Sequence, residues 1–337
     1  MQKLRILFII NLLMLVILCG CKKNALDVDI SDIDAELVTH RFDKDLFMLD
    51  LDTIDKAIST FYSRYGAFFD VYNVHVINIG PASDRHYGSY LSMFINNPQN
   101  VEVYDFAQQV YDDTETLENS LQDAFRRYLY HYPDSAIPEI IFFIGGFNHR
   151  LFTVNQYVGV GIDQYLGTEC RFYSMMGTAE YMIRNKIPEK IPSDVANVWG
   201  SSLYGYNDAK DNVLSRMIYG GQLMYFTEAL LPEEADSLKI GFTASQLSFC
   251  KKNEKQMWTY LIENELLFST DQLVIKRLVE DAPTTYYFPD ESPGKAAVWL
   301  GWQIVREYAK KHPDLSLDEI MQENDYQKIL RESKYTP

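Results

Sequence analysis

The segment Glu139–Gly146, which reads EIIFFIGG, carries the clearest strand signal in the chain. A short all-apolar run closed by two glycines is typical of a buried strand. A second strand is predicted at Tyr157–Ile162 (YVGVGI), where Gly159 and Gly161 alternate on one face and indicate a close approach to the backbone. A third is predicted at Val71–Gly80 (VYNVHVINIG), which alternates, is rich in β-branched residues and ends before a proline.

Most of the remaining chain has the apolar spacing of helices. The predicted helices are 50–64, 87–95, 102–111, 115–131, 179–185, 193–199, 212–231, 243–268, 271–281, 294–311 and 316–323. Capping boxes open two of them, at Thr243–Gln246 and Ser316–Glu319. An extended segment is predicted at Glu36–Arg41.

Strands concentrate in the first half of the chain and helices in the second, which predicts an α+β fold. We expect a small sheet within residues 36–175 and a predominantly helical half over residues 176–337. No repeat, low-complexity segment or flexible linker divides them, so residues 36–337 are predicted to form a single globular domain.

The amino terminus has the pattern of a secretory signal. Lys3 and Arg5 precede the apolar run Ile6–Leu18, and small residues lead to Cys21. A cysteine in this position forms a bacterial lipobox, which predicts removal of residues 1–20 and acylation of Cys21, followed by a tether over residues 21–35. The alternative is a transmembrane anchor, but the run is shorter than the ~20 residues that span a bilayer.

The chain of 337 residues has a formal net charge of −16, and removal of Lys3 and Arg5 with the signal makes it −18. This charge argues against nucleic acid as a partner, because phosphates would repel the domain. It also argues against broad contact with anionic lipid. Attachment to the membrane would therefore depend on the acyl chains of Cys21.

The motifs of common enzymes are missing from the sequence. The six histidines (His40, His75, His86, His131, His149 and His312) form no HExxH, and no G-x-S-x-G elbow or phosphate-binding glycine loop occurs. We therefore expect neither a catalytic zinc nor a cofactor. Cys170 and Cys250 could form a disulfide or remain as buried thiols, and the sequence leaves both open.

The aromatic residues allow two interpretations. Trp258, Trp299 and Trp302, together with 24 Tyr and 19 Phe, could form an exposed recognition patch. They could equally pack the apolar faces of helices in the second half of the chain.

Several sequence blocks, taken in order, resemble the gliding-motility lipoprotein GldB family of the Bacteroidetes. The blocks are Phe42–Phe47 (FDKDLF), Ile144–Asn148 (IGGFN), Gly159–Gly167 (GVGIDQYLG) with Cys170 and Tyr173, Tyr219–Gly221, Asn253–Glu254 with Trp258, Ser292–Gly294, Trp299–Val305 (WLGWQIV) and the tail Ser333–Pro337.

That resemblance implies a lipoprotein of the cell envelope, associated with gliding and type IX secretion proteins and without an established activity. It also implies a distant similarity to predicted zinc peptidases. In that comparison the HExxH helix corresponds to Asn212–Leu231. The motif position within it reads Tyr219-Gly-Gly-Gln-Leu223 here and lacks both histidines. The implied fold is zincin-like without metal. The candidate structural or recognition residues are Gly146, Phe147, Asn148, Gly159, Gly161, Asp163, Trp299 and Trp302.

Three functional hypotheses follow. The first is a non-enzymatic scaffold or assembly component, anchored through Cys21 and facing the periplasm from the outer membrane, since Lys22-Lys23-Asn24 lacks an acidic export signal. The second is a peptidase-like hydrolase, which requires a polar cleft between Tyr157–Ile162 and Asn212–Leu231 and is excluded if Leu223 and Phe226 fill it. The third is a ligand-binding module, which requires exposed tryptophans.

Overall fold

The structure, a computed structural model, describes residues 26–337, without the side chains of Leu51 and Asp55. The predicted signal and Cys21 therefore lie outside the described residues. Within residues 26–337 there is one sheet of four strands. The strands are β1 (Thr39–Arg41), β2 (Glu139–Phe143), β3 (Leu151–Val154) and β4 (Tyr157–Gly161), in the order β1-β2-β4-β3. β2 runs parallel to both β1 and β4, whereas β3 is an antiparallel edge strand.

Helices make up most of the remaining chain. Those before and between the strands are α1 (Phe42–Phe47), α2 (Ile54–Val71), α3 (Tyr87–Ile95), α4 (Pro98–Val110) and α5 (Glu115–His131). Those after β4 are α6 (Arg171–Met175), α7 (Glu180–Ile183), α8 (Ile191–Leu203), α9 (Val213–Leu230), α10 (Asp236–Ile240), α11 (Ala244–Lys252), α12 (Glu254–Glu263), α13 (Gln272–Val279), α14 (Ala296–Lys311), α15 (Leu317–Gln322) and α16 (Tyr326–Ser333). The small mixed sheet with a helical second half confirms the α+β prediction.

The predicted strand at Val71–Gly80 is wrong. Helix α2 reaches Val71, and a π-helical turn continues it from Tyr72 to Val76. Aromatic residues of α2 and of the turn after it explain this outcome. Phe61, Tyr65, Phe68, Phe69 and Tyr72 are all buried in one cluster, and the helix is kinked at Gly66, where φ is 48°. Packing of that aromatic face overrides the local preference of the β-branched residues for a strand.

Further differences concern short elements and boundaries. The predicted helix 243–268 is divided at Asn253 into α11 and α12, and the Asn253 side chain donates a hydrogen bond to the carbonyl of Phe249. The half-buried edge strand β3 and four helices were not predicted, namely α1, α6, α10 and α16. Both predicted capping boxes form, at Thr243 and at Ser316.

Hydrophobic side chains form three clusters. The first joins Val158 and Val160 of β4 to helices α5, α8 and the second half of α9. The second lies among the helices that follow β4 and contains the first half of α9 together with α12, α13 and α14. The third packs Ile141 and Phe143 of β2 against the aromatic residues of α2. Helix α9 therefore contributes to two clusters.

Helices α9 and α14 touch backbone to backbone. A Cβ atom added to Gly301 would overlap the carbonyl oxygen of Met217, and one added to Gly221 would overlap the carbonyl group of Gly301. Because any side chain at these positions would separate the two helices, the close packing depends on glycine.

Polar contacts hold the residues of β1 in place. His40 pairs with Glu139 of β2 at 2.6 Å, and the guanidinium of Arg41 donates two hydrogen bonds, of 2.8 and 2.7 Å, to the buried carboxylate of Asp43. Arg41 also donates to the carbonyl of Tyr111. These contacts tie the short strand to its neighbours.

Candidate functional site

The carboxyl ends of β2 and β4 meet at one edge of the sheet, which is the usual position of a ligand site in a parallel arrangement of strands. Strand β2 continues into the loop Ile144–Asn148, and β4 continues into a 3-10 turn at Ile162–Gln164. Four of the predicted residues, namely Gly146, Phe147, Asn148 and Asp163, come together here.

Asp163 holds the loop that follows β2. Its side chain is fully buried, and its Oδ2 atom accepts hydrogen bonds from the backbone N–H groups of Gly145 (3.0 Å) and Phe147 (2.7 Å). Gly146 and Phe147 both have a positive φ, near 63° and 64°, which is unfavourable for phenylalanine. The carboxylate therefore stabilises a turn that the backbone alone would not adopt.

The Oδ1 atom of Asp163 is buried and has no hydrogen-bond partner within residues 26–337. Burial raises the pKa of Asp163 to about 6, although the hydrogen bonds from the Phe147 and Gly145 N–H groups and the charge of Lys186 act to lower it. The carboxyl group is thus a titratable group held inside the protein.

Gly159 and Gly161 have a structural explanation. A Cβ atom on Gly159 would lie 2.7 Å from the ring of Phe152 on β3, and one on Gly161 would overlap the carbonyl oxygen of His149. Their absent side chains let β3 and the preceding loop lie against β4, as the sequence predicted for a close backbone approach.

A cavity of about 410 Å³ opens beside the turn, and we call it the strand-end cavity. Its walls come from the loop after β2, the 3-10 turn after β4 and the segment around α7. The lining residues are Phe147, Asn148, Arg150, Gln164, Met176, Thr178, Tyr181, Met182, Asn185, Lys186 and Asp281. The predicted residues Phe147 and Asn148 therefore line a cavity whose other walls come from later segments.

The ammonium group of Lys186 lies in this cavity wall with only 8% of the residue exposed. It donates a hydrogen bond to the Gln164 Oε1 atom and lies 4.8 Å from the centre of the Tyr173 ring. None of the ion pairs within residues 26–337 includes Lys186. Desolvation lowers its pKa to about 8, and the charge of Arg150 contributes in the same direction.

A second group of charges lies next to Lys186. Arg150 and Lys190 both pair with Asp194, at 2.5 and 2.6 Å, and the Tyr165 hydroxyl donates to the same carboxylate at 2.9 Å. Burial alone would raise the pKa of Asp194, but the two cations hold it below its usual value. Two cations therefore share one carboxylate next to Lys186, while Asp281 adds a negative charge to the cavity lining.

The structure places the predicted tryptophans elsewhere. Trp299 and Trp302 lie in α14 with 1% and 0% of their surface exposed, and the indole N–H of Trp302 donates to Glu228 at 2.9 Å. Trp258 is half-buried against Tyr335. A recognition patch built on Trp299 and Trp302 is therefore wrong, since both belong to the second hydrophobic cluster.

Helix α8 contacts both β4 and α9, and apolar side chains occupy the region where the hydrolase hypothesis requires a polar cleft. Leu223 and Phe226 of α9 belong to the same hydrophobic cluster as Val158 and Val160 of β4. Gln222 is also buried, and its amide donates to the carbonyls of Ile320 and Glu323. The residues in the positions of an HExxH motif therefore have structural contacts, and the predicted cleft between these two elements is wrong.

The remaining predictions concern the two cysteines, a metal site and a membrane-spanning helix. Cys170 and Cys250 are both buried and unbonded, and they belong to different hydrophobic clusters. Residues 26–337 contain no group of three or more His, Cys, Asp or Glu side chains arranged to hold a metal ion. Over the same residues, no helix combines the length and the apolar character needed to cross a membrane.

Sequence reasoning missed Arg150, Gln164, Asn185 and Lys186 as members of one site. Of these, only Gln164 lies in a family-like block, Gly159–Gly167, and the two cations are separated by 36 positions (186 − 150) in the sequence. The available signal was indirect, because Arg150 and Gln164 each follow shortly after a predicted strand. Only the folded arrangement brings Lys186 to the same edge of the sheet.

Comparison with known families gives one match. The family model described as gliding motility protein GldB matches residues 23–337, which is almost the whole chain beyond the predicted signal. No curated protein and no solved structure gives a significant match. The zincin-like relationship therefore stays a prediction.

Proposed function

Because the chain belongs to the gliding motility protein GldB family, a family of lipoproteins related to gliding motility, we propose that it is a non-enzymatic scaffold or assembly component of the cell envelope. Its partners would be proteins of the gliding and type IX secretion apparatus. Residues 1–20 would be removed as a signal, and the acylated Cys21 would hold the domain at the outer membrane, facing the periplasm.

The observation that carries this proposal is the hydrophobic cluster that contains side chains of both β4 and α9. A hydrolase of the expected type needs polar groups converging on a cleft there. Instead Leu223 and Phe226 pack into a hydrophobic cluster, and Gln222 and Glu228 bind to α15 and α14. Polar groups used in this way connect helices to one another, which supports a role based on shape and attachment.

The composition supports attachment through lipid. A domain with a charge of −18 after removal of the signal gains little from anionic lipid surfaces, so the acyl chains of Cys21 would supply most of the attachment. Substitution of Cys21→Ser should release the protein from the membrane fraction and abolish incorporation of labelled palmitate. A membrane-bound, labelled Cys21→Ser protein would contradict this part of the proposal.

Partner capture tests the scaffold role. The wild-type protein, crosslinked in intact cells and purified under denaturing conditions, should recover gliding or secretion proteins. The Cys21→Ser protein provides the matched control, because its domain is unchanged while its location differs. Recovery of no envelope protein above that control would overturn the proposal, and stoichiometric zinc in the purified protein would favour a hydrolase instead.

Orientation is tested on intact cells. If the domain faces the periplasm, an added protease should leave it intact until the outer membrane is permeabilised. Digestion in intact cells would place the domain on the cell surface and overturn the assignment of the leaflet.

A further inference from the structure

We propose that the strand-end cavity binds a carboxylate that carries a single negative charge and is joined to an apolar group, as in an amino-acid-sized organic acid. This binding site goes beyond the scaffold role, which does not require a ligand. The volume of about 410 Å³ falls within the range of small-molecule sites in proteins.

Lys186 provides the main argument for an anion. A lysine residue that is more than nine-tenths buried ordinarily has a carboxylate partner, because desolvation of an isolated charge is costly. Lys186 has only the neutral Gln164 as its hydrogen-bond acceptor, and no ion pair within residues 26–337 includes it. The buried carboxylate of Asp163 acts on this ammonium group as a charge without an ion-pair contact, so a bound anion would supply a direct charged partner and would raise the lowered pKa of Lys186.

The charge balance favours a carboxylate over a phosphate. Arg150 already pairs with Asp194, which leaves Lys186 as the unpaired cation of the cavity wall. A single cation matches a monoanion, whereas a phosphate ester carries ≈ −1.5 to −2 at neutral pH. Asp281 at the rim would repel a more highly charged ligand, although it pairs with Lys295 at 2.9 Å.

Hydroxyl groups on the wall can complete the recognition of a carboxylate. The side chains of Thr178 and Tyr181 line the cavity and have no hydrogen-bond partner within residues 26–337. A carboxylate has two oxygens and about four acceptor positions, so it can accept from the ammonium and from hydroxyl donors together.

Part of the cavity lining is suited to an apolar group. It includes Phe147, Met176 and Met182, and the two methionines are 43% and 47% exposed. Methionine side chains are flexible and polarizable and adapt to irregular apolar ligands. The cavity thus combines a buried cation with an adaptable apolar rim.

Two probes that differ only in charge test the assignment. N-acetylmethionine has a carboxylate beside an apolar side chain, and N-acetylmethioninamide is its neutral counterpart. Calorimetric titration of the full-length lipoprotein in detergent should show saturable binding of the acid and at least about tenfold weaker binding of the amide, the loss expected for a charge-assisted hydrogen bond. Absence of saturable binding of the acid, or equal binding of both probes, would overturn the proposal.

Two variants locate the site. Lys186→Met keeps the apolar stem and removes the charge, and it should weaken binding of the acid at least about tenfold. Met182→Glu changes an exposed rim residue, so it should fold normally and weaken binding by placing a carboxylate beside the ligand. Its matched control, Met93→Glu, alters a 72% exposed methionine of α3 and should bind as the wild type does.

The variants also define the contrary outcomes. If Met182→Glu binds the acid as tightly as Met93→Glu, the ligand does not occupy the strand-end cavity and the proposal is wrong. Displacement of N-acetylmethionine by a lower concentration of inorganic phosphate than of acetate would overturn the assignment to carboxylates.

Discussion

Substitution of Asp163 separates two properties of its carboxylate, the hydrogen-bond acceptor and the buried charge. The Oδ2 atom accepts from the N–H groups of Gly145 and Phe147. Asp163→Ala removes that acceptor and leaves two backbone donors without a partner, each at a cost of about 1–3 kcal/mol. We therefore expect Asp163→Ala to lower the free energy of unfolding by about 2–6 kcal/mol.

Asp163→Asn keeps an oxygen for both donors and removes the charge. The folded protein holds the pKa of Asp163 at about 6, against an ordinary value of 3.8. Because the folded state binds the proton more tightly, the contribution of this group is fully present below pH 3.8 and is lost as the pH rises through 6. The difference amounts to about 3 kcal/mol.

The measurement is urea unfolding of the full-length protein between pH 4 and pH 8, followed by intrinsic fluorescence. The stability of Asp163→Asn relative to the wild type should increase by up to about 3 kcal/mol over this range. The exposed Asp314→Asn is the control and should show no comparable trend. If Asp163→Asn is as unstable as Asp163→Ala at pH 8, the turn depends on the negative charge and the reasoning fails.

Three further predictions concern buried residues. Gly301→Ala should lower the free energy of unfolding by about 3 kcal/mol, because its Cβ would overlap a carbonyl group of α9. Gly205→Ala, with open space around it, should be nearly neutral in the same urea assay. Cys170 and Cys250 are buried, and burial raises the pKa of the Cys250 thiol to about 12. Iodoacetamide should therefore modify both cysteines only after the protein is unfolded. Detection of a disulfide-linked peptide that contains both would contradict the structure. Glu228→Ala should lower the free energy of unfolding by about 3 kcal/mol, because it leaves the indole N–H of Trp302 and the guanidinium of Arg306 without their shared acceptor. Glu228→Gln should lower it less. Equal losses of stability for the two variants in thermal unfolding would contradict that account.

The sequence predicts best where the local signal and the final packing agree. Helices α3 and α5 have the predicted bounds, since their apolar spacing faces the clusters that bury them. The buried strands β2 and β4 are likewise visible as apolar or glycine-alternating runs. At Val71–Gly80 the two disagree, because the β-branched residues follow an aromatic helical face that continues through Tyr72.

The sequence predicts only some of the residues of the candidate site. Gly146, Phe147, Asn148 and Asp163 lie in sequence blocks that resemble a known family, and they meet because parallel strands end at one edge. Lys186 follows an ordinary short helix, and its local sequence gives no sign of burial. Whether a charged side chain is buried depends on segments that are distant in the sequence, so its burial cannot be predicted from a single sequence.

Strand β1 determines where mechanical force on the amino-terminal segment would act. Residues 26–38 lead directly into Thr39–Arg41, whose three register pairs with β2 lie beside the Arg41–Asp43 ion pair. A pull along the strand would load these pairs together, whereas a pull across it would open them one after another. Since the rate of forced unfolding follows the barrier rather than the equilibrium stability, resistance to tension at this point would depend on direction. A domain held by its amino terminus would then withstand drag along one axis better than along another.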